Sequence, residues 1–367
     1  MVHACLLARG SSSSANASPL ELSIAIVTHT LPGASFGAGL DLTKLSVQRL
    51  FDTLEQEPER LSQLLNDSGG LLVIRRLNAI IDDPQLLVRL SRFLGPEVED
   101  YYQTLTGKRF FHDSIPELLV LSNRPPCNHP PPARPDPEVE PIGIFPTRFP
   151  HRRGWHTDQS YRRPPPDVSL LFAVQCPPAD QGQTLYADTT AAYEALDACF
   201  KKQIDKLYGI HAPSWIGRSE RAVRAGETPA TLLPHQRPQR HPLVRVHPCT
   251  GRRALYLCED GQMDYVDGPI EGMERGPDGA GARLVRELLE HSTQSMFCYR
   301  HEWQVGDLVI GDNRCLLHAP TWYDADTYTR LMWRTTVMGN AGAEYAGEEK
   351  SWISSQGYQP MHGMEDV

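Results

Sequence analysis

The chain has 367 residues, 22% of them charged, and a formal net charge of −9 with acids and bases interspersed. That length allows one large or two ordinary domains with a substantial core, and the charge argues against a nucleic-acid surface or a polybasic membrane patch, leaving a small-molecule ligand as the expectation. Eight cysteines lie without a Cys-x-x-Cys pair or a zinc-ribbon spacing, so they read as reduced thiols of an intracellular, cytoplasmic protein, and no apolar run approaches the roughly 18 residues that a membrane span needs.

Residues 1–19 are rich in serine and alanine, lack acids and carry Arg9. The composition faintly resembles an organelle transit segment, but the apolar stretch from Ala4 to Ala8 is too short for a secretory core. Residues 1–35 are therefore expected to form a disordered or loosely packed lead. Between residues 41 and 66, Leu45, Leu50, Phe51, Leu54, Leu61, Leu64 and Leu65 recur at helical spacing with Pro58 among them, which predicts two short helices. The run Leu71-Leu72-Val73-Ile74 after Gly69-Gly70 reads as a buried strand. Asp83-Pro84 predicts a helix start, with Leu86, Leu87, Leu90 and Phe93 on one face and Gly95 as the stop. Residues 118–121 form a second apolar strand.

Proline dominates residues 125–150, which open on Pro125-Pro126-Cys127-Asn128-His129-Pro130-Pro131-Pro132. Proline supplies no ladder donor, so an extended surface loop is expected, either a lid on the substrate side or a solvated insertion. Strands are predicted at 168–176 and, after a turn at Gly182, at 184–187, followed by a helix over 189–207. Residues 217–240, polar and rich in arginine, read as a mobile loop. Further strands are placed at 243–246, 254–257, 297–303, 307–310 and 331–338, with a helix over 280–291. Many short strands, with helices concentrated toward the first half, predict a mainly β fold with flanking helices, a sandwich or a barrel. No repeat or linker divides it, so residues 36–345 read as one domain and residues 346–367 as a tail.

The chemistry begins at Trp155-His156-Thr157-Asp158. An isolated His-x-Asp carries little, because with 14 histidines roughly 0.7 such triplets arise by chance. On a strand, however, residues two apart share a face, so His156 and Asp158 can ligate one ion while Thr157 points away. His318 follows the predicted strand at 307–310 and the polar turn Gly311-Asp312-Asn313-Arg314, at a strand end where sites are commonly built. Two histidines and one carboxylate on one face of a metal leave open positions suited to non-haem iron(II) and dioxygen. Arg330 and Arg334 stand an even number of residues apart on the last strand. Buried there they need anions, and bidentate carboxylate binding is their natural task.

Together, Trp155-His156-Thr157-Asp158, Gly182-Gln183-Thr184-Leu185-Tyr186, Gly306-Asp307-Leu308-Val309-Ile310, Asp312-Asn313-Arg314, His318 and Arg330-Leu331-Met332-Trp333-Arg334 closely resemble the taurine/2,4-D dioxygenase (TauD/TfdA) family of iron(II)- and 2-oxoglutarate-dependent oxygenases. The resemblance covers nearly everything from about residue 71 to 339. It implies a double-stranded β-helix, the cupin-like jelly roll, with His156, Asp158 and His318 as catalytic metal ligands. It places the distal carboxylate of 2-oxoglutarate on Thr184 and Arg330, and an anionic group of the primary substrate on Arg334. The implied reaction takes O2 and 2-oxoglutarate, releases succinate and CO2, and abstracts a substrate hydrogen through a ferryl species. Hydroxylation of a small, anionic metabolite is the expected outcome, with desaturation, cyclisation or oxidative cleavage open from the same abstraction. Asp158 argues against halogenation, for which related enzymes carry a small residue at this position. Members of the family are often oligomeric, which makes a homo-oligomer compatible with the chain.

Departures from the family pattern bear on substrate. The approach His151-Arg152-Arg153-Gly154 lacks the small amide residue of the taurine enzymes, and residues 106–109 do not match their pocket, so taurine itself is not expected. Arg152, Arg153, Arg162 and Arg163 either favour an anionic substrate or are solvated and paired with acids. Tyr161, Trp155 and Trp322 either shape the pocket or pack in the core. The acidic turn 261–268 lacks the spacing of an EF-hand and reads as a loop near the site entrance. Two other functions fit the same ligands. One is a zinc-dependent hydrolase with an activated water, in which Thr184 and Arg330 would have no task. The other is a non-catalytic, metabolite-binding jelly roll.

Overall fold

The structure is a computed structural model, and it describes residues 26–42, 46–104, 106–134, 154–232, 236–339, 345, 348, 350 and 351. Strands β1 (His29–Thr30) and β2 (Ala38–Asp41) lead into helices α1 (Val47–Gln56) and α2 (Arg60–Asp67). Next come β3 (Leu71–Arg75), α3 (Ala79–Asp82), α4 (Gln85–Arg92) and β4 (Leu119–Ser122). The middle of the chain holds β5 (Val168–Gln175), β6 (Thr184–Asp188), α5 (Thr189–Ala195), α6 (Ala198–Ile204), β7 (Tyr208–His211) and α7 (Glu220–Arg224). It closes with β8 (Gln239–Pro242), β9 (Val244–Val246), β10 (Arg253–Leu255), α8 (Ala280–Ser292), β11 (Cys298–His301), β12 (Leu308–Asp312), β13 (Leu316–Pro320) and β14 (Leu331–Val337).

Seven strands form one sheet in the order β1-β2-β3-β12-β5-β14-β4, and three form a second in the order β11-β6-β13. Strand alternation sorts the core into layers. Leu72 and Ile74 of β3, Leu170 and Phe172 of β5, and Leu308 and Ile310 of β12 pack on one side against Leu50, Leu54, Leu61, Leu65 and Leu87 of the helices α1, α2 and α4. Their neighbours Leu71, Val73, Ala173 and Val309 face the other way, toward Tyr186 and Leu316 of the smaller sheet. The outer side of that smaller sheet, Leu185, Ala187, Leu317 and Ala319, is covered by α5 and α8. Strands buried on both faces read as unbroken apolar runs, which is why β3 is so plain in the sequence. The expected sheet-rich fold with flanking helices is the one observed.

Other expectations need correction. The helix predicted over 189–207 is two helices, because the Asp197 side chain accepts from Cys199 N and Phe200 N and starts α6 afresh. The loop expected at 217–240 contains α7, capped by the Ser219 hydroxyl, and runs into β8, which pairs with β7. Strand β13 was not expected at all. Of the proposed N-terminal lead, residues 1–25 lie outside the described residues, whereas β1 is paired and Ile26 and Leu31 are buried. Residues 135–150 of the proline-rich segment and most of the 346–367 tail also lie outside. Among the described residues, no helix is long and apolar enough to cross a membrane.

Candidate metal centre

Strand β13 places His318 opposite Tyr186 of β6. On its other side His318 meets His156 in an isolated bridge, each backbone N–H donating to the other's carbonyl at 2.8 and 2.9 Å. The chain after His156 then turns, and Gln159 takes the left-handed φ of 49°. His156 and Asp158 therefore share a direction through a bridge followed by a turn, where the sequence suggested a regular strand. The two imidazole rings lie 4.2 Å apart, and each Nε2 is 3.8 Å from Asp158 Oδ1. All three donor atoms lie within 4.8 Å of one another.

The ring environments suit metal binding. His156 Nδ1 is hydrogen-bonded to the Gly154 carbonyl, which orients the ring with Nε2 toward Asp158. Burial, reinforced by His156 beside it, pushes His318 down to about 3, so its imidazole is neutral. Burial opposes the charge of Asp158, but the Arg334 guanidinium and the Ser169 hydroxyl hold it well below the usual carboxylate range.

Asp158 is oriented by Ser169, which sequence reasoning missed, and by a contact to Arg334 that it did not foresee. Ser169 Oγ donates to Oδ2 at 2.6 Å, turning Oδ1 toward the histidines, and Arg334 Nη1 donates to Oδ1 at 2.6 Å. Asn313 Nδ2 donates to Ser169 Oγ at 3.0 Å, and the Asn313 backbone carbonyl accepts from Thr157 Oγ1 at 2.7 Å. The available signal was Asn313 within Asp312-Asn313-Arg314. Ser169, a lone hydroxyl on an apolar strand, offered only its oddity.

A second group, His247, Asp312 and Cys315, also brings potential ligands within 4.8 Å of one another, but it is a brace. Asp312 accepts from Arg314 Nε and Nη2 at 2.8 and 2.6 Å and from His247 Nε2 at 2.9 Å. His247 Nδ1 accepts from two backbone N–H groups, so the ring proton is on Nε2 and no lone pair remains for an ion. Burial opposes the charge of Asp312, and the Arg314 guanidinium and His247 outweigh it, holding the carboxyl well below its ordinary value. A carboxyl depressed in the folded state contributes stability above its unfolded value near ~4, and that stability is lost as pH falls through the folded value. Urea unfolding over a pH series should show this loss below about pH 4. Asp312→Asn should reduce it and cost about 3 kcal/mol at neutral pH, because buried Arg314 is left with only its longer contact to Asp167 at 3.5 Å.

The metal-facing residues open into a cavity of ≈ 320 Å³ that Thr184, Tyr186, Tyr323, Arg330 and Arg334 also line. Thr184 Oγ1 accepts from Trp303 Nε1 at 3.0 Å, leaving its own proton free to donate. Arg330 precedes β14 and shares the cavity with Arg334, four residues on. Burial pushes its guanidinium down in pKa, and no ion pair to it occurs among the described residues. Of the other candidates, Tyr161 lines the cavity with its ring 5.2 Å from Trp215, whereas Trp155 is 1% exposed in the core. Arg162 pairs with Glu99 and Arg163 with Glu348, and neither lines the cavity. Arg152 and Arg153 lie outside the described residues. Of the turn 261–268, Gln262 lines the cavity and Asp264 is paired with Arg218. His129, Pro130, Pro131 and Pro132 line it too, which puts the described part of the proline-rich segment on the cavity side.

A family model described as taurine catabolism dioxygenase TauD, TfdA family matches residues 28–336. The chain is 35% identical over 203 residues to the alpha-ketoglutarate-dependent 2,4-dichlorophenoxyacetate dioxygenase of Burkholderia sp. (strain RASC), a match covering 54% of this chain and 62% of that protein. It is 34% identical over 197 residues to the (S)-phenoxypropionate/alpha-ketoglutarate-dioxygenase of Sphingobium herbicidovorans, covering 53% and 64%. The matches thus span less than two thirds of these relatives' own length. The crystal structure of AAD-2 in complex with Mn(II) and N-oxalylglycine aligns with a TM-score of 0.56 at 28% identity, over 86% of this chain and 98% of that one.

Proposed function

This chain belongs to the taurine catabolism dioxygenase TauD, TfdA family, and from that premise we propose that it is an iron(II)- and 2-oxoglutarate-dependent dioxygenase hydroxylating a small, anionic metabolite. Its two facing sheets are read as the family's jelly roll, and residues 36–345 as a single oxygenase domain. The observation that carries the reading is the convergence of His156 Nε2, Asp158 Oδ1 and His318 Nε2 on the cavity that Thr184 and Arg330 also line. Two imidazoles and one carboxylate fit iron(II) and leave positions for a chelating ketoacid and O2. When bound, iron(II) with 2-oxoglutarate supplies the oxidising power for hydrogen abstraction, with succinate and CO2 released.

The chain's own residues take the remaining roles. Arg330, desolvated and without an internal anion, would bind the distal carboxylate of 2-oxoglutarate, with the Thr184 hydroxyl donating beside it. Arg334, whose Nε has no partner among the described residues, would meet the anionic group of the substrate. Relatives named for 2,4-dichlorophenoxyacetate and (S)-phenoxypropionate support an acid in that place. A zinc-dependent hydrolase would leave the Arg330 clamp idle. Iron(II)-dependent release of succinate from 2-oxoglutarate, stimulated by a small acid, tests the reading. Its absence across carboxylic, sulfonic and amino acids would count against it.

Ser169 should matter without touching substrate. Removing its bond to Asp158 frees the carboxylate to rotate, so Ser169→Ala is expected to weaken iron(II) binding roughly 10–100-fold. Anaerobic titration measures this, and Ser169→Thr should restore most of the affinity.

A further inference from the structure

A buried hydrogen-bonding atom beside the metal-facing turn has no task in the reaction as described. Gln159 follows Asp158, lines the cavity and is 7% exposed. Its side-chain nitrogen donates to Glu99 Oε2 at 3.2 Å, and Glu99 is held by the Arg162 guanidinium. A carboxylate paired with a guanidinium accepts and does not donate, so the amide orientation is determined: the NH2 group points at Glu99 and Oε1 is left over. That oxygen is buried, and no described residue donates to it.

The surroundings hold it in place. Arg162 N donates back to the Gln159 carbonyl at 2.9 Å. Ser160 is pinned on two sides, its hydroxyl 2.9 Å from His211 Nδ1 and its carbonyl 2.8 Å from His241 Nε2. Tyr161, Trp215 and Gln262 line the cavity beside this turn, and the Arg334 guanidinium that also lines it is bonded to Asp158 rather than to this oxygen. An acceptor buried without a donor is costly, and a cavity wall that holds one rigidly is complementary to a ligand that brings the donor.

We infer that Gln159 Oε1 is a specificity-determining acceptor, and that the primary substrate carries a hydroxyl or N–H group that donates to it in addition to its anionic group. The inference rests on the dioxygenase reading. An analogue with hydrogen in place of the donor leaves the oxygen buried and unpaired, which selects against it.

The test uses the full chain with iron(II) and 2-oxoglutarate under anaerobic conditions, following the visible charge-transfer band while matched acids are added. The pairs are 3-hydroxybutyrate with butyrate, 3-hydroxyphenylacetate with phenylacetate, and 3-aminopropanesulfonate with propanesulfonate. In at least one pair the donor-bearing member should perturb the band at about tenfold lower concentration or less, and Gln159→Met should erase that difference. The wild-type comparison stands alone if the variant fails to fold. Equal responses within every pair, no response to any donor-bearing acid, or a difference that survives Gln159→Met would overturn the inference. A band that never forms contradicts the dioxygenase reading instead.

Discussion

Replacing His318 with alanine should abolish stoichiometric iron(II) binding and lower succinate formation by about 10³-fold or more, to the level of free iron. The size of the effect follows from the geometry. With His318 gone, one imidazole and one carboxylate remain, and Asp158 Oδ1 stays bonded to Arg334 at 2.6 Å. Such a pair cannot compete with water for iron(II) at ordinary concentrations. The backbone bonds of the bridge with His156 at 2.9 and 2.8 Å do not involve the side chain, so the variant should fold. Anaerobic iron titration together with a succinate assay checks the prediction, and unchanged turnover would overturn the metal assignment.

Arg330→Met should raise the KM for 2-oxoglutarate roughly 100-fold, with a smaller change in kcat at saturation. Truncating one partner of a desolvated, charge-assisted contact costs about 3 kcal/mol, and each 1.4 kcal/mol is about a factor of ten. The effect falls on KM because the distal carboxylate is bound alike before and during the chemistry. Arg330→Lys should recover only part of the affinity, since an ammonium does not reproduce the bidentate fork. Steady-state kinetics in 2-oxoglutarate distinguishes the two variants, and a KM unmoved by Arg330→Met would remove this residue from the clamp.

The legible parts of the fold were those whose burial is complete or strictly periodic. Leu71-Leu72-Val73-Ile74 is apolar throughout because helices cover one face of β3 and the smaller sheet the other. Helices α1 and α2 showed their buried leucines at helical spacing, with Pro58 marking the break. Strand β13 was hidden because Leu316-Leu317-His318-Ala319-Pro320 ends on a proline and carries a polar residue at its centre. What makes it a strand is its pairing with β6, a tertiary fact. Helix α7 is only five residues long, too short for a periodic signal, and besides its Ser219 cap and the Glu220–Arg224 pair it rests on Glu220 meeting Arg286, far along the chain.

The candidate site divides along the same line. His156, Asp158, His318, Thr184, Arg330 and Arg334 stood out because each sits in a short stretch with a recognisable pattern. Ser169 and Gln159 did not, because their roles depend on partners far away in the chain. Ser169 is set by Asn313 and Asp158, and Gln159 by Glu99. Of the two readings of the arginines near the ligand turn, an anionic substrate or pairing with acids, Arg162 and Arg163 follow the second, paired with Glu99 and Glu348. The case for an acid now rests on Arg334 and on the relatives' named substrates.

In the proposed site His156, Asp158 and His318 hold iron(II) beside a 2-oxoglutarate clamp formed by Thr184 and Arg330. Anaerobic addition of iron(II) and 2-oxoglutarate to the purified protein probes both halves of that site at once. A weak visible charge-transfer band that needs both components and vanishes in His318→Ala is the predicted result. A protein that retains zinc and shows no such band would contradict it.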